Sequence, residues 1–151
     1  MTLIWNGVIQ RKLALLDQQV ARLEDHVRGV TRERFVRDWA MRTLSERAVQ
    51  VCAEIMIDVA ERIIALAGAG PTATAAEAIE RLVQLKVLQN AEPYRSIVRM
   101  RNFLVHGYDE VNPDVLYDVV SGRLGDFRQF RDEIDRANQG PASSDDHPSA
   151  S

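Results

Sequence analysis

A single cysteine in 151 residues, Cys52, leaves no second thiol for an internal disulfide and too few for a cysteine-based zinc cluster. It agrees with a reducing compartment, and its simplest role is that of a small core residue. An excess of positive charge is also missing. Nineteen Lys and Arg stand against twenty-two Asp and Glu, a net charge of −3, so a general basic coat for nucleic acid is excluded and any RNA or DNA contact must be local. With only 27% charged residues the chain is no disordered polyelectrolyte either. Long apolar runs are absent. The start, Met-Thr-Leu-Ile-Trp-Asn-Gly, lacks the basic opening and apolar stretch of a secretory signal, and no later stretch suits a bilayer span, so a soluble, cytoplasmic protein without a membrane partner is expected. Alternating β-branched and polar runs are missing, which excludes a sheet and predicts an all-α fold. There is no internal repeat, and the recurring Glu-x-x-His of a di-iron bundle does not occur, so neither a metal nor a cofactor is expected.

What is present is helical periodicity, and 46% apolar residues over this length suffice for one core and one domain. Ile9, Leu13, Leu16, Val20, Leu23 and Val27 alternate spacings of four and three and predict a first helix over about residues 8 to 28, closed at Gly29. Thr31 is placed to cap a second helical stretch. Its apolar line runs through Phe35, Trp39, Leu44, Ala48, Val51, Ile55, Val59, Ile63 and Leu66 to Gly68, with any break expected near Thr43 to Ser45. After the breaker Gly68-Ala-Gly-Pro, Thr74 and Glu77 read as a capping box opening a short helix to about Leu88. The next helix starts after Asn90, tolerates Pro93 in its first turn and runs to about Gly107. Asn112-Pro113 opens the last, whose core line is Leu116, Val120, Leu124, Phe127, Phe130 or Arg131, and Ile134, weakened locally by Gly122 and Gly125. From Gly140 the composition turns to Pro, Ser, Ala and Asp, which predicts a helical domain over 1–139 and a disordered tail over 140–151. Five or six helices are expected.

On a helical wheel, residues 94 to 106 place Tyr94, Ile97, Val98, Met100, Leu104 and Val105 on one apolar arc, with Arg101 inside it. A guanidinium among aliphatic side chains needs a partner. Either a carboxylate such as Asp58 or Glu61 on the long helix faces it, or it projects into a cleft shared by two chains. On the other side Arg95, Arg99, Asn102 and His106 stand at spacings of four, three and four. That stripe reads as a solvated face with a histidine near the helix end, where the dipole favours the imidazolium. The alternative reading, which the pattern alone favours less, is arginines for an RNA phosphate beside a group that titrates near neutrality. Arg101 and His106 project about 140° apart on a regular helix, so a loosened last turn at Gly107 or a second chain has to unite them. His26, on the polar side of the first helix, and His147, in the tail, are poor substitutes.

The string Arg101-Asn102-Phe103-Leu104-Val105-His106-Gly107-Tyr108 matches an R-x4-H-x-Y motif, and on it the chain resembles the HepT-like toxins, a branch of the HEPN helical ribonuclease superfamily. A bare R-x4-H arises often by chance. Specificity comes from flanks in the right order: Val8-Ile9-Gln10-Arg11-Lys12-Leu13, Glu46-Arg47-Ala48-Val49-Gln50-Val51, Ile57-Asp58-Val59-Ala60 and Leu124-Gly125-Asp126-Phe127, so that the likeness spans about residues 8 to 136. The resemblance implies a HEPN-like bundle, a symmetric homodimer, Arg101 and His106 as catalytic residues and Asn102 as their polar neighbour. It further implies that an MNT-type nucleotidyltransferase antitoxin attaches AMP to Tyr108. One departure is Arg62, where many relatives carry a histidine.

The chemistry so implied is metal-independent RNA cleavage, in which the ribose 2′-hydroxyl attacks phosphorus and the 5′-oxygen leaves. His106 serves as base or acid, and Arg101, assisted by Asn102, stabilises charge on the phosphoryl oxygens. One proton is removed and another delivered, yet each chain offers one histidine at the site; a twofold dimer supplies two. Each AMP on Tyr108 adds negative charge beside a pocket for phosphate and repels substrate. Without the motif, Tyr108 reads as an aromatic packed at a helix end. The main competing reading is a non-catalytic dimeric helical module that binds a nucleotidyltransferase, which the acidic net charge favours. A structural bundle with an accidental motif requires all the flanks to coincide.

Overall fold

The first apolar stripe folds as read: α1 (Gly7–Val27) buries Ile9, Leu13, Leu16, Val20, Leu23 and Val27. A computed structural model describes residues 7–107 and 111–139; the expected tail over 140–151, His147 and Tyr108 lie outside the described residues. Within them the fold is all-α, as expected, but with seven helices because both long stretches break.

The second stretch breaks at Asp38, not near Thr43 to Ser45, giving α2 (Arg32–Arg37) and α3 (Trp39–Leu66). Asp38 serves both ends. Its backbone N–H donates to the carbonyls of Arg34 and Phe35, and its carboxylate accepts the Met41 N–H at 3.0 Å. Its extended backbone also resets the helical phase. The buried line of α3 therefore runs Met41, Ser45, Val49, Cys52, Met56, whereas Trp39 and Leu44, expected in the core, are exposed, as is Leu66 at the far end of the expected line. Cys52 is a buried core residue, its thiol pushed up to about 12 by desolvation. Helix α3 is the axis of the bundle, and every other helix packs against it.

Half of the expected capping box forms at α4 (Ala75–Gln84): the Thr74 Oγ1 accepts the Glu77 N–H at 3.1 Å, but the Glu77 carboxylate turns back one residue further and accepts the Ala73 N–H at 2.7 Å. The helix stops short of Leu88. Lys86 turns left-handed at φ 62°, its N–H donates to the Val83 carbonyl, and that of Val87 donates to Leu82, the pairing normally built on glycine. The expected last helix is two, α6 (Pro113–Gly122) and α7 (Gly125–Gln139). Asn112 caps α6 through the Asp114 N–H, and at Arg123 the backbone leaves the helix, with buried Leu124 filling the corner.

Between these elements lies α5 (Tyr94–His106), rooted in the core by its first turn. The Tyr94 ring is fully buried and meets Phe130 edge-on at 5.4 Å. Its hydroxyl donates to buried Glu133 on α7, which also accepts the Gln89 N–H at 2.8 Å. Burial first, then the hydrogen bond to that carboxylate, raises the Tyr94 pKa above its ordinary value.

Candidate active site

Helix α5 carries every expected site residue except Tyr108, which lies outside the described residues. The apolar arc is narrower than expected. Only Tyr94 and Val98 are buried, Ile97, Met100 and Leu104 are half-buried, and Val105, with neighbouring Phe103, is exposed.

Arg101 does press against α3, with its side chain 19% exposed, but its partner is neither Asp58 nor Glu61. The Nε faces Glu54 Oε1 at 3.7 Å, too far for a hydrogen bond, and is buried without a hydrogen-bond partner. Asp58, one turn further along α3, is already held by Lys12 at 2.5 Å and by Arg62 at 3.2 Å. Burial raises its pKa, and the hydrogen bonds from these two cations outweigh that and hold it below the usual carboxylate range. Arg62 thus has a structural partner where the resemblance expected a histidine. Glu54 was missed because a wheel for one helix cannot say which turn of a neighbour lies opposite. Its spacing of four from Asp58, on the same face of α3, was the available signal. Because Arg101 is engaged only at Nε, its two terminal amino groups have no hydrogen bond to any described residue.

Asn102 is exposed, and so is His106, the last residue of α5. The Gly107 N–H donates to the Phe103 carbonyl at 2.7 Å, continuing the regular helical ladder to the end. The last turn is therefore not loosened, and Arg101 and His106 remain about 140° apart within one chain. Gly107 has an ordinary φ of −81°, yet a Cβ added there would lie 2.6 Å from the Phe103 carbonyl oxygen. Glycine follows the histidine for want of space.

Both arginines expected to receive phosphate are occupied. Arg95 pairs with Glu80 on α4, while Arg99 meets Glu92 at 3.3 Å and donates to the Ser96 hydroxyl oxygen at 2.8 Å. The Ser96 hydroxyl donates in turn to Glu92 and holds its pKa below the ordinary value. His26, expected in solvent, is half-buried with its Nε2 enclosed and unpartnered. Among the described residues no three His, Cys, Asp or Glu gather as a metal-ligand set, and no helix is long and apolar enough to cross a membrane.

Comparison with known proteins gives a consistent picture. The sequence pattern of the family described as Ribonuclease HepT-like matches residues 16–134. The mRNA nuclease HepT of Shewanella oneidensis is 28% identical over 131 residues, spanning 85% of this chain and 97% of that protein. The tRNA nuclease HepT of Aphanizomenon flos-aquae is 24% identical over 139 residues, 89% of this chain and 92% of its own. Among solved structures, the tri-AMPylated Shewanella oneidensis HEPN toxin in complex with MNT antitoxin superposes with a TM-score of 0.80 at 26% identity, covering 87% of this chain and 99% of that one. A toxin–antitoxin complex with AMP-PNP follows at TM-score 0.79, with 26% identity and the same coverage. The helical bundle is thus the HEPN fold.

Proposed function

The chain belongs to the HepT-like ribonuclease family, and from that premise we propose that it is the toxin of a toxin–antitoxin pair, an endoribonuclease that needs no metal ion. In this reading an MNT-type nucleotidyltransferase silences it by attaching AMP to Tyr108. The observation that carries the proposal is the state of Arg101: a largely buried side chain that faces Glu54 at Nε and whose terminal donors meet no hydrogen-bond partner among the described residues. A guanidinium held this way offers a planar pair of N–H groups to two phosphoryl oxygens. His106 lies five residues on, exposed, and Asn102 beside the arginine is exposed as well.

The 2′-hydroxyl proton passes to a neutral His106 as the oxygen attacks phosphorus; the 5′-oxygen leaves with a proton from a second, protonated imidazole. The products are a 2′,3′-cyclic phosphate and a 5′-hydroxyl. Arg101 opposes the charge that gathers on the non-bridging oxygens. The second imidazole comes from a second copy of the chain across a twofold axis, which also overcomes the 140° divergence on one helix. Exposed Phe103 and Val105, both within three residues before His106 in sequence, give that contact apolar surface to bury. Tyr108 follows His106 by two residues, so AMP added there brings its negative charge to the place where RNA phosphate must enter.

The test is incubation of the purified full-length protein with total RNA and a chelator, counting cyclic-phosphate ends. Wild type should produce them, and His106→Ala and Arg101→Ala should fall by roughly 100-fold or more. Equal yields from wild type and His106→Ala would remove the catalytic reading; loss of wild-type activity in chelator alone would remove the metal independence. After co-expression with the neighbouring nucleotidyltransferase, mass spectrometry should find AMP on wild type and none on Tyr108→Phe.

A further inference from the structure

An acidic chain can hold RNA only at a local patch, and Arg95 and Arg99 are tied to Glu80 and Glu92. Arg34, Arg37 and Arg47, in contrast, are exposed and form no ion pair with any described residue. Two of them line an open concavity with Thr31, Glu33, Asp38 and Trp39. The Asp38 carboxylate is engaged in capping α3, which leaves Glu33 as the competing anion there. Trp39 is 65% exposed, the most exposed of the large hydrophobic side chains described, because the break at Asp38 turns it out of the core. The concavity around the indole contains no other large apolar residue, and Leu44 stands about 140° away around α3. A lone aromatic face among unpaired cations suits a stacked base and its phosphates better than the apolar side of a protein helix.

The position of Trp39 relative to Arg101 follows from helix geometry. Fifteen residues separate Trp39 from Glu54, the residue opposite Arg101, which is about 22 Å along the axis with a net rotation of about 60°. Both therefore project from one side of α3. Between them that side presents Thr43 and Arg47, both exposed, and Glu46 and Gln50, both half-buried, so that one carboxylate lies along it beside the arginine. At a stacked rise of about 3.4 Å, fewer than about ten nucleotides bridge the distance.

We propose that this side of α3 is a track for single-stranded RNA. Trp39 stacks on a base, Arg34, Arg37 and Arg47 meet phosphates, and the strand is led to Arg101. The proposal rests on the ribonuclease reading, for which it supplies a binding site away from the cut. Because each base has a π face and each nucleotide a phosphate, such a track tolerates many sequences and leaves selectivity to the cleavage site.

The chain has two tryptophans, Trp5 and Trp39, so full-length Trp5→Phe/His106→Ala protein reports on Trp39 alone and does not consume its ligand. Titration with a uridine decamer should quench its fluorescence saturably. By filter binding, Trp39→Leu in the same background should weaken affinity by roughly 5- to 100-fold, and Trp39→Phe, which retains a ring, by much less. Arg34→Gln/Arg37→Gln should reduce the slope of log affinity against log salt by about 1.4, two single-strand contacts. Undiminished affinity in Trp39→Leu, or an unchanged salt slope in the arginine pair, overturns the proposal. So does a Trp39→Leu protein that keeps RNA affinity but no longer co-purifies with the nucleotidyltransferase, since the surface would then belong to a protein. Cleavage of the decamer by His106-bearing protein is scored separately, so failure of the ribonuclease reading is seen as Trp39-dependent binding without cyclic-phosphate ends.

Discussion

Gly107 shows how narrowly the end of the motif helix is drawn. Alanine there would push its methyl group into the Phe103 carbonyl, and either the last turn unwinds or His106 rotates. The clash is at an exposed terminus, so the expected cost to Gly107→Ala in folding stability is under about 1 kcal/mol. If His106 transfers the proton as proposed, the expected loss in RNA cleavage is at least roughly tenfold, because a misplaced proton-transfer group is heavily penalised. Cleavage assays beside denaturant titrations check both halves; an alanine variant with full activity would show that the helix end is free to rearrange. Arg101 and His106 were legible one by one as a charge on an apolar arc and an imidazole on a polar stripe. The carboxylate facing the arginine was not, because charge partners are chosen by the packing of α3 against α5, which no local pattern encodes.

Helix interiors were readable where one phase persists and unreadable where a phase is reset. The α1 stripe kept its spacing from Ile9 to Val27 and every member is buried. The line carried on from Phe35 failed at Trp39 and Leu44 because Asp38 interrupts it with no proline or glycine to announce the break. The end of α4 was hidden for a similar reason: Lys86 adopts a left-handed conformation that usually advertises itself as glycine. Lys86→Gly should relieve that strain, less the entropy glycine adds to the unfolded chain, for a net gain of about 0.5–1 kcal/mol. The urea midpoint should rise accordingly, and a fall would mean that the Lys86 side chain supports the turn.

Across the molecule, pairs between distant parts of the chain govern the response to acid. Arg128 holds Glu24 below its ordinary pKa chiefly through its hydrogen bonds, and Lys12 with Arg62 does so for Asp58 against the opposing effect of burial. A carboxylate lowered in the folded state stabilises fully above its unfolded pKa, and that contribution fades as pH falls through the folded value. Unfolding free energy should therefore decline below about pH 5, and Asp58→Asn should flatten the decline while costing under about 1 kcal/mol at neutrality, since the pair is partly exposed. Denaturant titrations at neutral and acid pH check this. Tyr94→Phe should cost more, about 1–3 kcal/mol, because Glu133 would keep only the Gln89 N–H in a site 7% exposed. The same tyrosine makes α5 a cantilever, clamped at Tyr94 and Val98 and overhanging at Phe103, Val105 and His106. A beam fixed at one end deflects most at its tip, so a load applied just past Gly107 moves the His106 imidazole through a larger arc than Arg101, which presses against α3 nearer the root.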